Sequence, residues 1–288
     1  MKLIDCIGWF YLSMQDIKSA STIIWYQRRL ASLECLYSQY VVDISLNDLR
    51  SWRTSLPARY STYTLHGYIR AIKRLFHWML EEGYLDKDIS CRLERPSLPR
   101  QHSRGITLSA QNAMISMAKT NPRDYALLCL LRDSGCRVNG LSTLMISNLD
   151  LLNLRAIVWE KGRGGNHKSR YVFYSKLTAQ AISLWLDKRP HVEFDNVFLG
   201  FQRGRGWMPL TNGGVYQIFE RIAKRSQVIN GWNPHNWRHA RIRQWLSAGM
   251  NISIASQLAG HSSVSVTADI YGIITPEELG LLHAKYTN

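Results

Sequence analysis

The segment PHNWRHA carries His235, Arg238 and His239. If Pro234 opens a helix there, these positions share one face at i, i+3 and i+4, and two imidazoles converge with a guanidinium. Zinc is one use for such a histidine pair, but the adjacent Glu of the metalloprotease pattern is missing and no third ligand is evident. Packed or solvated histidines are the ordinary alternative. The rest of the chain offers more chemistry in order: Arg137 in SGCRVNGLSTL, Lys161 in WEKGRG, His261 in LAGHSS and Tyr271 in DIYG. A phosphodiester resists nucleophiles because it is an anion, and attack loads further charge onto its non-bridging oxygens. Arg137 and Arg238 can each present a planar, permanently charged fork to such oxygens. His235 and His261 titrate near working pH and can donate or accept a proton.

Several elements must position these residues. Asn121-Pro122 predicts a helix start and Gly135 its stop, directly before Arg137. RAIVWE (Arg155 to Glu160) and RYVFY (Arg170 to Tyr174) read as strands, with Gly162 to Asn166 as the hairpin turn and Lys161 where the first strand meets it. Helices are expected at Thr178 to Lys188, Gly214 to Arg225, His235 to Ala248, Ser253 to Leu258, Thr267 to Tyr271 and Pro276 to Tyr286. The first part of the chain reads as helical from Ile17 to Leu36, in a short segment opening at Ser45, and from Ser61 to Glu82 before Gly83. In that last helix Ile69, Ile72, Leu75, Phe76 and Met79 form the apolar stripe, leaving Arg70, Lys73 and Arg74 outside it to meet phosphates. Between Arg92 and Arg104, Pro96 and Pro99 break any helix among scattered arginines, as a linker would. The expected fold is mainly α with a small β-sheet, in two domains: residues 1–91, a linker at 92–104, and residues 105–288 with a tail at 276–288.

A chain of 288 residues with 45% hydrophobic and 20% charged side chains is long and apolar enough for two folded domains. Its net charge of +15 favours a polyanion as partner, nucleic acid first. Residues 1–100 hold 14 basic and 10 acidic side chains and the remainder 22 and 11, so most of the field belongs to the second part. Arg221, Lys224, Arg225, Arg238, Arg241 and Arg243 lie in a stretch, 221–243, without any acid. The five cysteines, Cys6, Cys35, Cys91, Cys129 and Cys136, form no CxxC pair and read as small buried residues of a reducing cytoplasm. No apolar run approaches a membrane span, and Asp5 and Gln15-Asp16 interrupt the amino-terminal apolar patch, so neither a span nor a signal peptide is expected.

The order Arg137, Lys161, His235-x-x-Arg238, His261, Tyr271 resembles the tyrosine site-specific recombinase family of phage integrases and Xer proteins. The intervals of 24 residues from Arg137 to Lys161 and 23 from Arg238 to His261 are similar to those of Xer-type members. The likeness extends over nearly the whole chain. WMLEEGYL (Trp78 to Leu85) before a proline linker looks like the end of the family's α-helical core-binding domain. The second part would then be the α+β catalytic domain.

The resemblance implies that Tyr271 is the nucleophile and forms a covalent 3′-phosphotyrosine with cut DNA. Arg137, Arg238, His235 and His261 would surround the phosphate, with His235 a candidate base for the phenol proton, and Lys161 would protonate the departing 5′ oxygen. Arg70, Lys73, Arg74, Arg100, Arg163, Lys168 and Arg241 are the expected DNA contacts. No cofactor and no metal are needed, because the phosphotyrosyl bond conserves the energy of the phosphodiester. The implied partners are double-stranded DNA at specific sites and further copies of the chain, as a tetramer on two duplexes that exchanges carboxy-terminal tails. The expected setting is the cytoplasm, at the nucleoid. One departure is plain: the family's acid three residues after the first arginine is replaced by Gly140. A type IB topoisomerase, which only reseals its own strand, and a DNA-binding relative with a weakened centre are the competing readings.

Overall fold

Side-chain oxygens that accept from the first free amides set most of the helix starts. Ser45 and Asp48 form a reciprocal capping box at the head of α3 (Leu46–Ser55), and Ser61 accepts from Thr64 N at the head of α4 (Thr62–Glu81). The molecule is a computed structural model that describes residues 1–98, 105–161, 167–271 and positions 280, 283 and 284, with the backbone alone at 161, 167 and 269–271. Backbone contacts divide it into two compact units, Met1–Arg100 and Gln101–Asn288.

The first unit is helical. The amino-terminal apolar patch forms α1 (Leu3–Met14), which buries Leu3, Cys6, Ile7, Phe10 and Met14 at helical spacing. Asp5, which interrupts that run in sequence, stays exposed on the opposite face. The single helix expected from Ile17 to Leu36 is α2 (Ala20–Leu30) followed by a tighter 3-10 segment, Ala31–Leu36. Helix α4 buries the expected stripe of Ile69, Ile72, Leu75, Phe76 and Met79 against Phe10, Trp52 and Leu30. Cys6, Cys129 and Cys136 are buried, but Cys35 and Cys91 are exposed because both sit on short 3-10 turns at the surface.

In the second unit, α5 (Leu108–Ala118) precedes α6 (Pro122–Ser134), whose residues Ala126 to Leu131 are all fully buried. A helix apolar on every side belongs in the middle of a core, and the rest of the unit wraps it. Gly135 ends α6 in the left-handed conformation at φ 55°, turning the chain so that Arg137 caps the short α7 (Val138–Ser142). Strands β1 (Leu149–Asp150), β2 (Arg155–Lys161) and β3 (His167–Phe173) make one antiparallel sheet in that order, with Lys161 paired to His167 across the hairpin. After α8 (Lys176–Lys188), a second hairpin of β4 (Leu199–Gln202) and β5 (Gly206–Pro209), not foreseen from the pattern, leads to α9 (Asn212–Arg225). Helices α10 (Pro234–Ser247), α11 (Ile252–Ala259) and α12 (Val264–Tyr271) complete the described unit.

Gly105 holds α10 in place. At φ +73° a Cβ there would lie 2.5 Å from Ala240 N and 2.8 Å from Asn236 O, both backbone atoms of α10. Gly105→Ala is therefore expected to destabilise the protein by about 2–5 kcal/mol, combining left-handed strain with overpacking. Chemical denaturation measures it; a loss below about 0.5 kcal/mol, the range of ordinary surface changes, would show that α10 yields freely.

Among the described residues no helix is long and apolar enough to cross a membrane, and no three His, Cys, Asp or Glu gather as metal ligands.

Candidate active site

The end of α11 organises the site. The last carbonyls of a helix have no partner within it and carry its negative pole. Here three consecutive ones are met by three arginines from three other elements. Arg170 of β3 donates from Nη1 to Leu258 O at 2.6 Å, Arg238 of α10 from Nη2 to Ala259 O at 2.5 Å, and Arg137 from Nη2 to Gly260 O at 3.0 Å. Gly260 caps the helix at φ 67°, and His261 follows it at once. Arg238, only 4% exposed, also donates from Nη1 to Gly135 O at 2.7 Å, tying α10 to the turn that precedes Arg137. Two of its contacts thus join the chain just before Arg137 to the chain just before His261.

Arg137 is held from a second side by Glu160, an acid on β2 that the spacing of motifs did not single out. Glu160 is 3% exposed and accepts from the Arg137 amide at 2.8 Å, from Arg137 Nη1, and from Arg170 Nη2 and Nε at 2.9 and 3.3 Å. Burial alone would raise the Glu160 carboxyl, but the hydrogen bonds and charge of Arg170, with the amide and charge of Arg137, hold it below the usual carboxylate range. The Arg137 side chain nevertheless keeps 38% of its surface exposed, so the fork is both anchored and reachable. A buried acid opposite two arginines is legible in sequence only as the Glu of WEKGRG and the Arg of RYVFY.

The histidines stand in the field of these arginines. The His261 Nδ1 lies 2.7 Å from the Thr267 hydroxyl on α12. Burial, then the charges of Arg238, Arg137 and Arg170, push His261 down to about 4. The Nε2 atoms of His235 and His239 are 2.9 Å apart, so the pair shares one proton at that contact. Burial and the neighbouring His235, Arg238 and His261 push His239 to about 4, and enclosure by the protein together with Arg238 and Arg137 lowers His235. The same cations reach both His235 and His261, which places four of the six residues of the sequence constellation in one neighbourhood.

A pH dependence follows. Unfolded histidine binds its proton near pH 6.5, whereas folded His239 and His261 hold off to about 4, so protons favour the unfolded chain between those values. Stability is expected to be fully present above pH 6.5 and to fall as pH drops toward 4, by up to about 1.4 kcal/mol per pH unit for each group. Denaturation midpoints at pH 7.5, 6, 5 and 4.5 measure this, and His239→Asn should flatten the slope; a flat wild-type profile would contradict it.

The remaining sequence candidates are placed as follows. The Lys161 backbone ends β2, and Tyr271 ends α12 one helical turn after Thr267; their side chains, with Arg100, Arg163 and most of the tail at 276–288, lie outside the described residues. Lys168 is exposed on β3, in register with Glu160. Arg241 is turned to structure: it donates to Arg132 O and, at 3.3 Å, to Asp133 Oδ1, closing the end of α6. In the first unit Arg70 stacks 4.6 Å over Trp25, Lys73 donates to Cys91 O at 2.9 Å and Arg74 pairs with Glu81 at 3.1 Å. With His77 and Arg95 these three line one hollow, in which Asp88 is the acid among the described lining residues. The acid-free stretch at 221–243 is not one basic face, since Arg221 meets Asp124, Lys224 meets Glu220 and Arg241 meets Asp133.

Known proteins resemble this chain in sequence and in fold. The sequence model of the phage integrase family matches residues 106–277. The chain is 27% identical to the tyrosine recombinase XerD of Listeria innocua, over 76% of this chain and 74% of that protein. It is 24% identical to the tyrosine recombinase XerC of Oceanobacillus iheyensis, over 96% and 92%. Its fold is similar to that of the Tn1549 transposon integrase solved with transposon right end DNA, at a TM-score of 0.77 and 18% identity over all of both chains. It is also similar to a lambda integrase dimer bound to a core site, at 0.74 and 15% identity over 92% of this chain and 97% of that one.

Proposed function

The chain belongs to the phage integrase family of tyrosine recombinases, enzymes that break and rejoin DNA in site-specific recombination, and from that premise we propose how its own residues divide the reaction. The Tyr271 oxygen attacks the phosphorus, a Tyr–O–P bond forms, and the bond from phosphorus to the 5′ oxygen breaks. The 5′ oxygen leaves with a proton from Lys161, and the 3′ phosphate stays on the enzyme. Attack by a 5′ hydroxyl of another strand reverses the steps and releases Tyr271.

The observation that carries this reading is the gathering of Arg137, Arg238, His235 and His261 around the end of α11. Arg137 and Arg238 hold the non-bridging oxygens, where preorganised cations count most as charge develops. For His261 to donate to phosphate from Nε2, Thr267 donates its hydroxyl to Nδ1, and the 2.7 Å contact suits that tautomer. For His235 to take the phenol proton on Nδ1, its Nε2 donates to His239, which a neutral His239 can accept. No cofactor enters these steps.

DNA contact extends to the first unit, where Arg70, Lys73 and Arg74 face one hollow, and to Lys168, Arg100 and Arg163. Residues 1–91 act as the core-binding domain, 92–104 as the linker and 105–288 as the catalytic domain. Strand exchange takes place in a tetramer on two duplexes, in the cytoplasm at the nucleoid, and serves integration, excision or resolution. The matched relatives are recombinases, so the topoisomerase reading is not favoured.

The experiment is covalent trapping. The protein selects its site from a random pool of duplexes, and that site is then supplied nicked, so that the short cut piece diffuses away. A denaturant-stable adduct that maps to Tyr271, together with exchange between two sites on one plasmid, is the expected result. Plasmid relaxation without exchange would return the topoisomerase reading, and binding without any adduct would leave a DNA-binding protein.

A further inference from the structure

Arg137 has lost the acid expected three residues after it, yet it is not unsupported. A Cβ added at Gly140 would stand 3.2 Å from Val158 Cβ, 3.3 Å from Glu160 Cγ and 3.4 Å from Glu160 Oε1. The carboxylate of Glu160 therefore lies in the space that a side chain at 140 would enter. From β2 it reaches the same arginine, accepting from both the amide and the Nη1 of Arg137. Any side chain at 140 would require Val158 and Glu160 to give by a few tenths of an ångström, and a carboxylate there would compete with Glu160 for the same space.

We propose that Glu160 is the positioning residue for Arg137 in strand cleavage, and that positions 140 and 160 are two alternative attachments for one buried carboxylate. The proposal rests on the reading that Arg137 faces the scissile phosphate. Physically, a long flexible arginine loses little by rotating away from a phosphate unless its fork is fixed beforehand. Glu160 fixes one edge of the fork, and Gly260 O fixes another at 3.0 Å. Arg170 completes the device, since its two bonds to Glu160 and its bond to Leu258 O lock the carboxylate itself. One carboxylate between two guanidinium groups leaves the cluster one positive charge, which stays available to an anion. Gly260 belongs to the same arrangement: a Cβ there would lie 2.6 Å from Arg170 Nε and 3.3 Å from Glu160 Oε2.

The test is a cycle of four full-length proteins: wild type, Glu160→Gly, Gly140→Glu and the double variant, with Glu160→Gln as a fifth that keeps the volume and removes the charge. The readouts are the rate of covalent adduct formation on the nicked selected site, affinity for that duplex, and the thermal unfolding midpoint. Glu160→Gly should slow adduct formation about 100-fold, the scale of a misplaced reacting group, with DNA affinity unchanged. Glu160→Gln should be slow as well, because only one of its two terminal atoms still accepts while the other turns an NH2 toward donors, and the charge is lost. Gly140→Glu alone should be slow and less stable, since two carboxylates cannot share the space. The double variant should be faster than Glu160→Gly by about tenfold or more, the scale of coupling between residues in contact, and should regain unfolding temperature.

A double variant whose losses are the sum of the two single ones, in rate or in midpoint, overturns the proposal. So does a Glu160→Gly protein that cleaves at the wild-type rate. If wild type forms no adduct, the functional reading fails instead, and the midpoints of the same four proteins still decide whether 140 and 160 serve one carboxylate.

Discussion

Tyr271→Phe is expected to bind the selected duplex as wild type does and to form no covalent adduct, a loss of more than about 10⁴-fold, as for other deleted nucleophiles. The substitution removes one oxygen and leaves the ring. Affinity for DNA comes mainly from cations meeting phosphates, and the chain keeps its +15 net charge. Gel separation under denaturing conditions reads the adduct, and a salt titration reads the binding. An adduct that persists in the variant would move the nucleophile to another residue. A loss of binding in parallel would mean that the phenol holds DNA rather than attacks it.

Arg238→Lys should produce the second largest effect, and on two readouts at once. In the oxyanion-donor role proposed for it, Arg238 would be worth about 10²–10³ in rate, or about 3–4 kcal/mol. It is also 4% exposed and bridges Gly135 O and Ala259 O, so its loss strands two buried carbonyls. Each stranded group costs about 1–3 kcal/mol. An ammonium is a point charge and cannot span both carbonyls while presenting a fork to phosphate. Adduct formation should fall by about 10²–10³ and the denaturation midpoint should drop with it. Arg137→Lys is the useful contrast, because that side chain is 38% exposed: its rate loss should come with a smaller stability loss. Arg238→Lys at the wild-type rate would remove Arg238 from the chemistry and leave it a structural tie.

Much of this site was legible in one dimension because its chemistry is written in short local motifs. His235 and Arg238 share a helical face by spacing alone, and Gly135 announces the turn before Arg137 at φ 55°. The starts of α3, α4 and α6 were readable from Ser45, Ser61 and Asn121, whose caps act within three residues. Helix α1 was missed although its buried residues repeat at helical spacing, because Asp5 breaks the run in sequence while pointing outward in the fold. The β4–β5 hairpin was missed because its strands are four residues each and show no alternating burial.

Sequence by itself determined which groups could act: two arginines, two histidines, a lysine and a tyrosine, whose order and intervals resemble those of tyrosine recombinases, and that resemblance implied attack on a DNA phosphate. It could also register that Gly140 lacked the expected acid. Only the tertiary structure decided what stands in for that acid, since Glu160 lies 23 residues from Arg137 and reaches it by the pairing of β2 beside α7. The three arginines at the end of α11 bridge 88, 21 and 123 residues of chain, distances over which no periodicity carries information. The stretch at 221–243 holds no acid of its own, but the partners of Arg221 and Arg241, Asp124 and Asp133, come from α6. Residue type sets what a side chain can do, and it is read locally. Which charges remain available for DNA depends on long-range packing, which brings some of them acids and leaves others exposed.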